Sequence, residues 1–173
     1  MTRYFSLLIA WGCLAILVVI PLVGLFFLFD IDTFATLVKR NLALPIQWQS
    51  VTTAQWYGFW LLSMLYLVIG LGGFYFLRRA FANFARGELF NQSNSRDLRL
   101  FAIFLFAQAI ARPVHFVLSS LLLSWNHPPG QQLVSVSLGS GEIEVLALAM
   151  ILWVMSDLLV KASKLEDENK QFI

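Results

Sequence analysis

Gln108, Arg112 and His115, side chains able to hold a proton or an anion, lie inside an apolar run, residues 98–124. At about 100° per residue, positions 108, 112, 115 and 119 share one narrow stripe of a helix, and Asp97 falls on that stripe at the start of the run. A cation near mid-bilayer is costly, so Arg112 is expected to face protein or trapped water. Its guanidinium could hold an anionic headgroup or substrate, or sense a partner helix. It could instead tie helices together, neutralised by a carboxylate and helix carbonyls. One arginine without a second cation makes a poor anion site, which favours the tie. His115 could shuttle protons or bind a metal. A metal needs several ligands at one depth, and the other histidine, His127, falls in a connection, so a structural histidine is expected.

Depth narrows the choice of partner for Arg112. Measured from the charged end of its run, Arg112 lies about 18 Å up, whereas Asp157 lies only about 5 Å from the same edge. That gap is too long for an ion pair. Glu144, or its neighbour Glu142, is nearer if the arginine reaches outward. Both glutamates also suit a helix N-terminus, where the dipole favours negative charge. The candidate intramembrane polar site is therefore Gln108, Arg112, His115 and Glu144. A second stripe, Ser63, Tyr66, Gly70 and Gly73, is spaced three and four apart. Small residues let helices approach closely, so this is a candidate packing seam and a possible face for homo-oligomers.

The elements that position these residues follow from composition. Of 173 residues, 59% are hydrophobic and 13% charged, far from a soluble balance. Four runs, about 5–29, 56–77, 98–124 and 143–160, are each long enough to span a bilayer and leave no room for a soluble domain. The first is about twice the length of a signal h-region and lacks a small-x-small cleavage pattern, so it reads as a retained span. Cys13 is the single cysteine, which excludes an intramolecular disulfide and a cysteine-rich metal site. A net charge of +2 gives no reason to expect nucleic acid. Pro21 is expected to kink the first span. Ile31, Phe34, Val38 and Leu42 recur on one face, which suits either a short helix in the membrane interface or a loop helix packed over the bundle. Trp48 and Trp56 fit an outer aromatic belt. Gly87 suits a helix C-cap, and Asn91 or a nearby serine the cap of the next helix. Residues 133–138 alternate loosely, but a lone strand needs a partner, so no sheet is expected.

Lys and Arg fix the expected orientation. Arg3, Arg78, Arg79, Arg86, Arg96, Arg99, Lys161, Lys164 and Lys170 lie on one side, against Lys39 and Arg40 on the other. The bias places both termini in the cytoplasm, with a cytoplasmic connection at 78–97 and a cytoplasmic tail at 161–173. The expected fold is all-α, a four-helix transmembrane bundle forming a single integral membrane domain.

The stretch Phe84-Ala85-Arg86-Gly87-Glu88-Leu89-Phe90, with Asn94 and the Leu98-Arg99 pair, resembles a bacterial family of small four-helix integral membrane proteins of unknown function. So does the ending Leu165-Glu166-Asp167-Glu168-Asn169. Members pair a G-x-x-F element before the third helix with an acidic tail after the fourth. The resemblance implies a multi-pass protein of the bacterial inner membrane, and some relatives lie near small helix-turn-helix regulators. It supplies no catalytic residues.

No nucleophile–base pair, phosphate loop or metal constellation stands out, so no enzyme and no cofactor are expected. The leading expectation is a regulatory or protein-interaction module, with membrane lipids and another membrane or cytoplasmic protein as partners. The acidic patch Glu166, Asp167 and Glu168 reads first as a solvated helix face, and alternatively as a docking surface for a basic cytoplasmic partner. The alternative function is a small transporter or channel subunit with a polar path along Gln108, Arg112 and His115.

Overall fold

Each apolar run is a helix, and each helix outruns its apolar stretch. The computed structural model describes residues 2–42, 44–87, 92–137 and 139–170, and the side chains of all of these except 2 and 163–170. It contains α1 (Thr2–Phe29), α2 (Ile31–Asn41), α3 (Thr53–Arg86), α4 (Gln92–Ser124) and α5 (Ser140–Lys170), with a 3₁₀ turn at Trp48–Ser50. No strand occurs among the described residues. α1, α3, α4 and α5 are long and apolar enough to cross a membrane. The connection at 78–97 is largely helical, because α3 runs on to Arg86 and α4 starts at Gln92. Gly87 follows α3 at φ +89°, a left-handed conformation suited to glycine, and donates its N–H to the Phe84 carbonyl at 3.0 Å. Glu88, Leu89, Phe90, the expected cap Asn91, Leu138 and the tail side chains from Ser163 on lie outside the described residues.

The chain divides into two compact units. One comprises Met1–Val18, Ile69–Ala109 and Ser140–Ile173, the other Val19–Val68 and Ile110–Gly139. The boundaries in α1 and α4 fall within about a turn of Pro21 and Pro113. Proline has no N–H, so the carbonyls of Leu17 and Ala109 lack their usual helical partner there.

In the first unit, α3 and α4 pack through glycines. A Cβ added at Gly70 would lie 2.9 Å from Gln108 Nε2, and one at Gly73 would lie 3.3 Å from both Phe101 and Phe104. At Gly72 an added Cβ would meet the Phe104 ring. That ring stacks on Phe76 with centroids 5.7 Å apart. Missing side chains on α3 thus make room for aromatic ones on α4, the close approach expected where no water drives helices together.

In the second unit, Ala35, Ile46, Trp56, Phe59 and Leu123 form a buried cluster. Ile31, Phe34, Val38 and Leu42 of the α2 region pack against it. Their apolar face is therefore spent on the protein, which is the packed loop helix of the two readings open from sequence. Asp30 caps α2 by accepting from the Thr33 N–H at 3.1 Å. Trp56 is 6% exposed and stacks on Trp48, so it belongs to this core rather than to an exposed belt. α3 opens with a reciprocal cap. The Thr52 N–H donates to Gln55 Oε1 at 2.8 Å, while the Gln55 N–H donates to Thr52 Oγ1 at 3.4 Å. Gln55 Nε2 also donates to the Leu122 carbonyl at 2.7 Å, fixing the start of α3 against the end of α4.

Serines of α4 serve the loop at 131–137. The Leu133 N–H donates to Ser124 Oγ at 2.9 Å, and the Ser135 N–H donates to Ser120 Oγ at 3.0 Å. Side-chain hydroxyls stand in for the missing strand. Buried His127 ties two connections together: Nε2 accepts from the Gln47 N–H at 3.1 Å, and Nδ1 lies 3.1 Å from the Gln131 carbonyl oxygen. With the first bond requiring a bare Nε2, the neutral ring carries its proton on Nδ1 and donates to Gln131.

Candidate functional site

The polar side chains of α4 find their surroundings largely on α3. In the first unit, Asp97 is 1% exposed and its Oδ2 lies 3.1 Å from Arg79 Nε. A carboxylate that deep needs a compensating charge, and α3 delivers it. Gln108 is half-buried against Gly70, and its carboxamide joins no hydrogen bond among the described residues.

In the second unit, half-buried His115 lies between aromatic rings. Its centroid is 5.1 Å from that of Tyr66 and 6.1 Å from that of Phe59. Its Nε2 is 3.4 Å from Ser63 Oγ. Ser63 donates its own hydroxyl proton to the Phe59 carbonyl at 2.8 Å. The histidine contact is then a donation from Nε2–H to the serine oxygen. Ser63 and Tyr66 accordingly flank His115, while Gly70 and Gly73 receive α4 side chains in the other unit.

Arg112 is exposed on α4, where the sequence suggested a protein-facing position. It directly precedes Pro113 and belongs to the second unit. Glu144 is exposed on α5 and belongs to the first. Glu142 is buried in the first turn of α5. Among the described residues, no group of three or more His, Cys, Asp or Glu side chains could hold a metal ion.

Sequence reasoning placed Asp97 on the stripe but missed that Arg79 faces it. The available signal was a lone carboxylate following a helix that ends in arginines. It also passed over Arg96 and Arg99 as topology markers. With Arg79, these line a cleft of about 500 Å³ beside Ser156 and Asp157.

This arrangement defines a class before it defines a family: an all-α protein with four membrane-length helices and polar side chains set within them, the pattern of a multi-pass membrane protein. Residues 41–173 match the family described as "Protein of unknown function (DUF2975)", and the chain belongs to it. α1 and all but the last residue of α2 precede the matched segment. No curated protein and no solved structure matches the chain.

Proposed function

We propose that this protein is a non-catalytic interaction module of the bacterial inner membrane, with both termini cytoplasmic, whose helices bind another membrane protein or a second copy of the chain. Gln108 carries the reading. An amide without a hydrogen bond is expensive in hydrocarbon, where water cannot compensate it. A partner helix presenting a polar group at that depth relieves the cost, and such interhelical bonds contribute about 0.6–2 kcal/mol. The nine-to-two distribution of Lys and Arg supports the orientation.

The test is crosslinking in native membranes followed by mass spectrometry, comparing wild type, Gln108→Leu and Gln108→Asn. A stoichiometric partner that is lost with leucine and retained with asparagine supports the proposal. A monomer with no stoichiometric partner overturns it. Solute flux through reconstituted vesicles then becomes the measurement of interest, with Gln108, Arg112 and His115 as the path to probe.

A further inference from the structure

Two hollows of the first unit differ in chemistry and meet at one contact. The cleft lined by Arg79, Arg96, Arg99, Ser93, Ser156 and Asp157 has a volume of about 500 Å³. Arg79 is engaged with Asp97. Arg96 and Arg99 are exposed and supply its remaining positive charge. Asp157 opposes them, but Lys161 follows it four residues along α5, the spacing at which helical side chains pair. The mouth stays cationic.

Further along the same two helices lies a groove of about 420 Å³ without polar lining. Ala102, Ile103 and Phe106 of α4 face Met150, Trp153 and Val154 of α5 across it. The Arg99 guanidinium sits 4.4 Å from the Trp153 ring centroid, so the cationic wall of the cleft stacks on the aromatic wall of the groove. From Arg99 to Phe106 is about 10 Å along the helix, most of one leaflet's roughly 15 Å of hydrocarbon.

A free anion would use the cleft alone, and an apolar helix the groove alone. An amphiphile with a phosphate head and an acyl chain uses both. We propose that the two hollows form one binding site for an anionic glycerophospholipid, its phosphodiester held by Arg96 and Arg99 and one acyl chain lying between α4 and α5. Guanidinium forks match phosphate oxygens in pairs, and basic pockets between transmembrane helices suit anionic headgroups. The inference is independent of the interaction role proposed above.

Native mass spectrometry of the full chain, titrated with phosphatidylglycerol or phosphatidylcholine, tests the headgroup. Each arginine near the surface is worth roughly fivefold in affinity, about thirtyfold for two. Wild type should therefore prefer phosphatidylglycerol by more than tenfold. Arg96→Gln/Arg99→Gln should abolish that preference, with phosphatidylcholine, whose phosphodiester is already offset by its choline cation, losing much less than phosphatidylglycerol. Arg96→Lys/Arg99→Lys should keep most of it. Quenching by brominated phosphatidylglycerol tests the groove, since its Trp153 component should vanish in Trp153→Phe and fall in Val154→Trp. Equal binding of the two lipids by wild type overturns the proposal without recourse to any variant. Displacement of the lipid by millimolar inorganic phosphate also overturns it, assigning the cleft to a soluble anion.

Discussion

Replacing glycines by alanine, one at a time, gives the sharpest check on the α3–α4 packing, because two effects of similar size oppose each other. Within a helix, Gly→Ala gains about 0.8–1 kcal/mol in propensity. At Gly12 of α1 an added Cβ meets nothing within 4 Å, so Gly12→Ala should realise the whole gain. At Gly70 the new methyl meets the far end of Gln108 at 2.9 Å. A shift of that flexible side chain costs about 0.5–1.5 kcal/mol, so Gly70→Ala should be close to neutral. At Gly73 one obstacle is the Cβ of Phe104, 3.3 Å away and fixed to the α4 backbone. The helices must part slightly there, and the gain is cancelled or reversed.

Gly72→Ala should be the worst of the series. Three Phe104 ring atoms crowd the new methyl, and stacking on Phe76 limits where that ring can go. Overpacking costs about 1–3 kcal/mol, which leaves a net loss of up to about 2 kcal/mol after the propensity gain. Reversible unfolding in mixed micelles, followed by circular dichroism, reads the order Gly12→Ala, Gly70→Ala, Gly73→Ala, Gly72→Ala from most to least stable. If Gly72→Ala matched Gly12→Ala, close α3–α4 packing would be refuted. If Gly12→Ala were the most damaging instead, Gly12 would have to be a contact with another molecule.

Arg79→Leu should destabilise by about 2–3 kcal/mol, less than the roughly 3–5 kcal/mol of a fully buried pair because the Arg79 side chain is 46% exposed and screened by solvent. Arg79→Leu/Asp97→Leu should recover at least half of that loss in a double-mutant cycle. His127→Ala should cost about 1–3 kcal/mol, since it orphans the Gln47 N–H, with His127→Gln recovering part of it in the same assay. The Thr33 hydroxyl and N–H hold the Asp30 carboxyl below the usual carboxylate range, so the cap's contribution is present above the unfolded value and is lost as pH falls through the folded one. The Thr33 amide NMR shift should accordingly titrate with a midpoint below 3.8, and Asp30→Asn should abolish the transition. In a Cys13→Ser background, Gln49→Cys should react with an impermeant maleimide from outside the cell and Lys170→Cys only after the membrane is opened; the reverse pattern would refute the proposed orientation.

The spans were legible because twenty or so apolar residues in a row have few other uses, and Gly87 because a helix stop often needs a left-handed residue. What the sequence left open turned on contacts between distant segments. The apolar face of the α2 region fits an interface or a protein surface equally well. Trp56, Phe59 and Leu123, placed under it by the fold, decide for the protein. The region at 133–138 looked like a strand without a partner, and two of its amides, those of Leu133 and Ser135, are met by Ser124 and Ser120 of α4. Gly72 is not on the Ser63–Gly73 stripe as read from sequence, yet its missing side chain admits Phe104. Arg79 and Asp97 are eighteen positions apart, and no local pattern joins them.

The polar stripe of α4 shows how far periodicity carries and where it stops. Taking Asp97 as zero, helical geometry puts His115 at about 0°, Gln108 at about 20°, Ser119 at about 40° and Arg112 at about 60°. Burial follows that order at its ends. Asp97 is 1% exposed, Gln108 and His115 are half-buried, and Arg112, at the edge of the stripe beside Pro113, is exposed. Arginine is also the member whose long apolar stem can carry its charge away from the helix axis. The role of each buried member is then set by the α3 residue it meets. In one unit, Asp97 meets a charge at Arg79 and Gln108 meets the absence of a side chain at Gly70; in the other, His115 meets a hydroxyl at Ser63. One helix therefore carries an ion-paired carboxylate, an amide without a hydrogen bond among the described residues and a ring-packed histidine. Among the described residues the Asp97 carboxylate oxygens also lack a hydrogen bond, but they are sealed inside the first unit beside Arg79. The Gln108 amide is only half-buried, which is why Gln108 is where a partner's contribution should be sought.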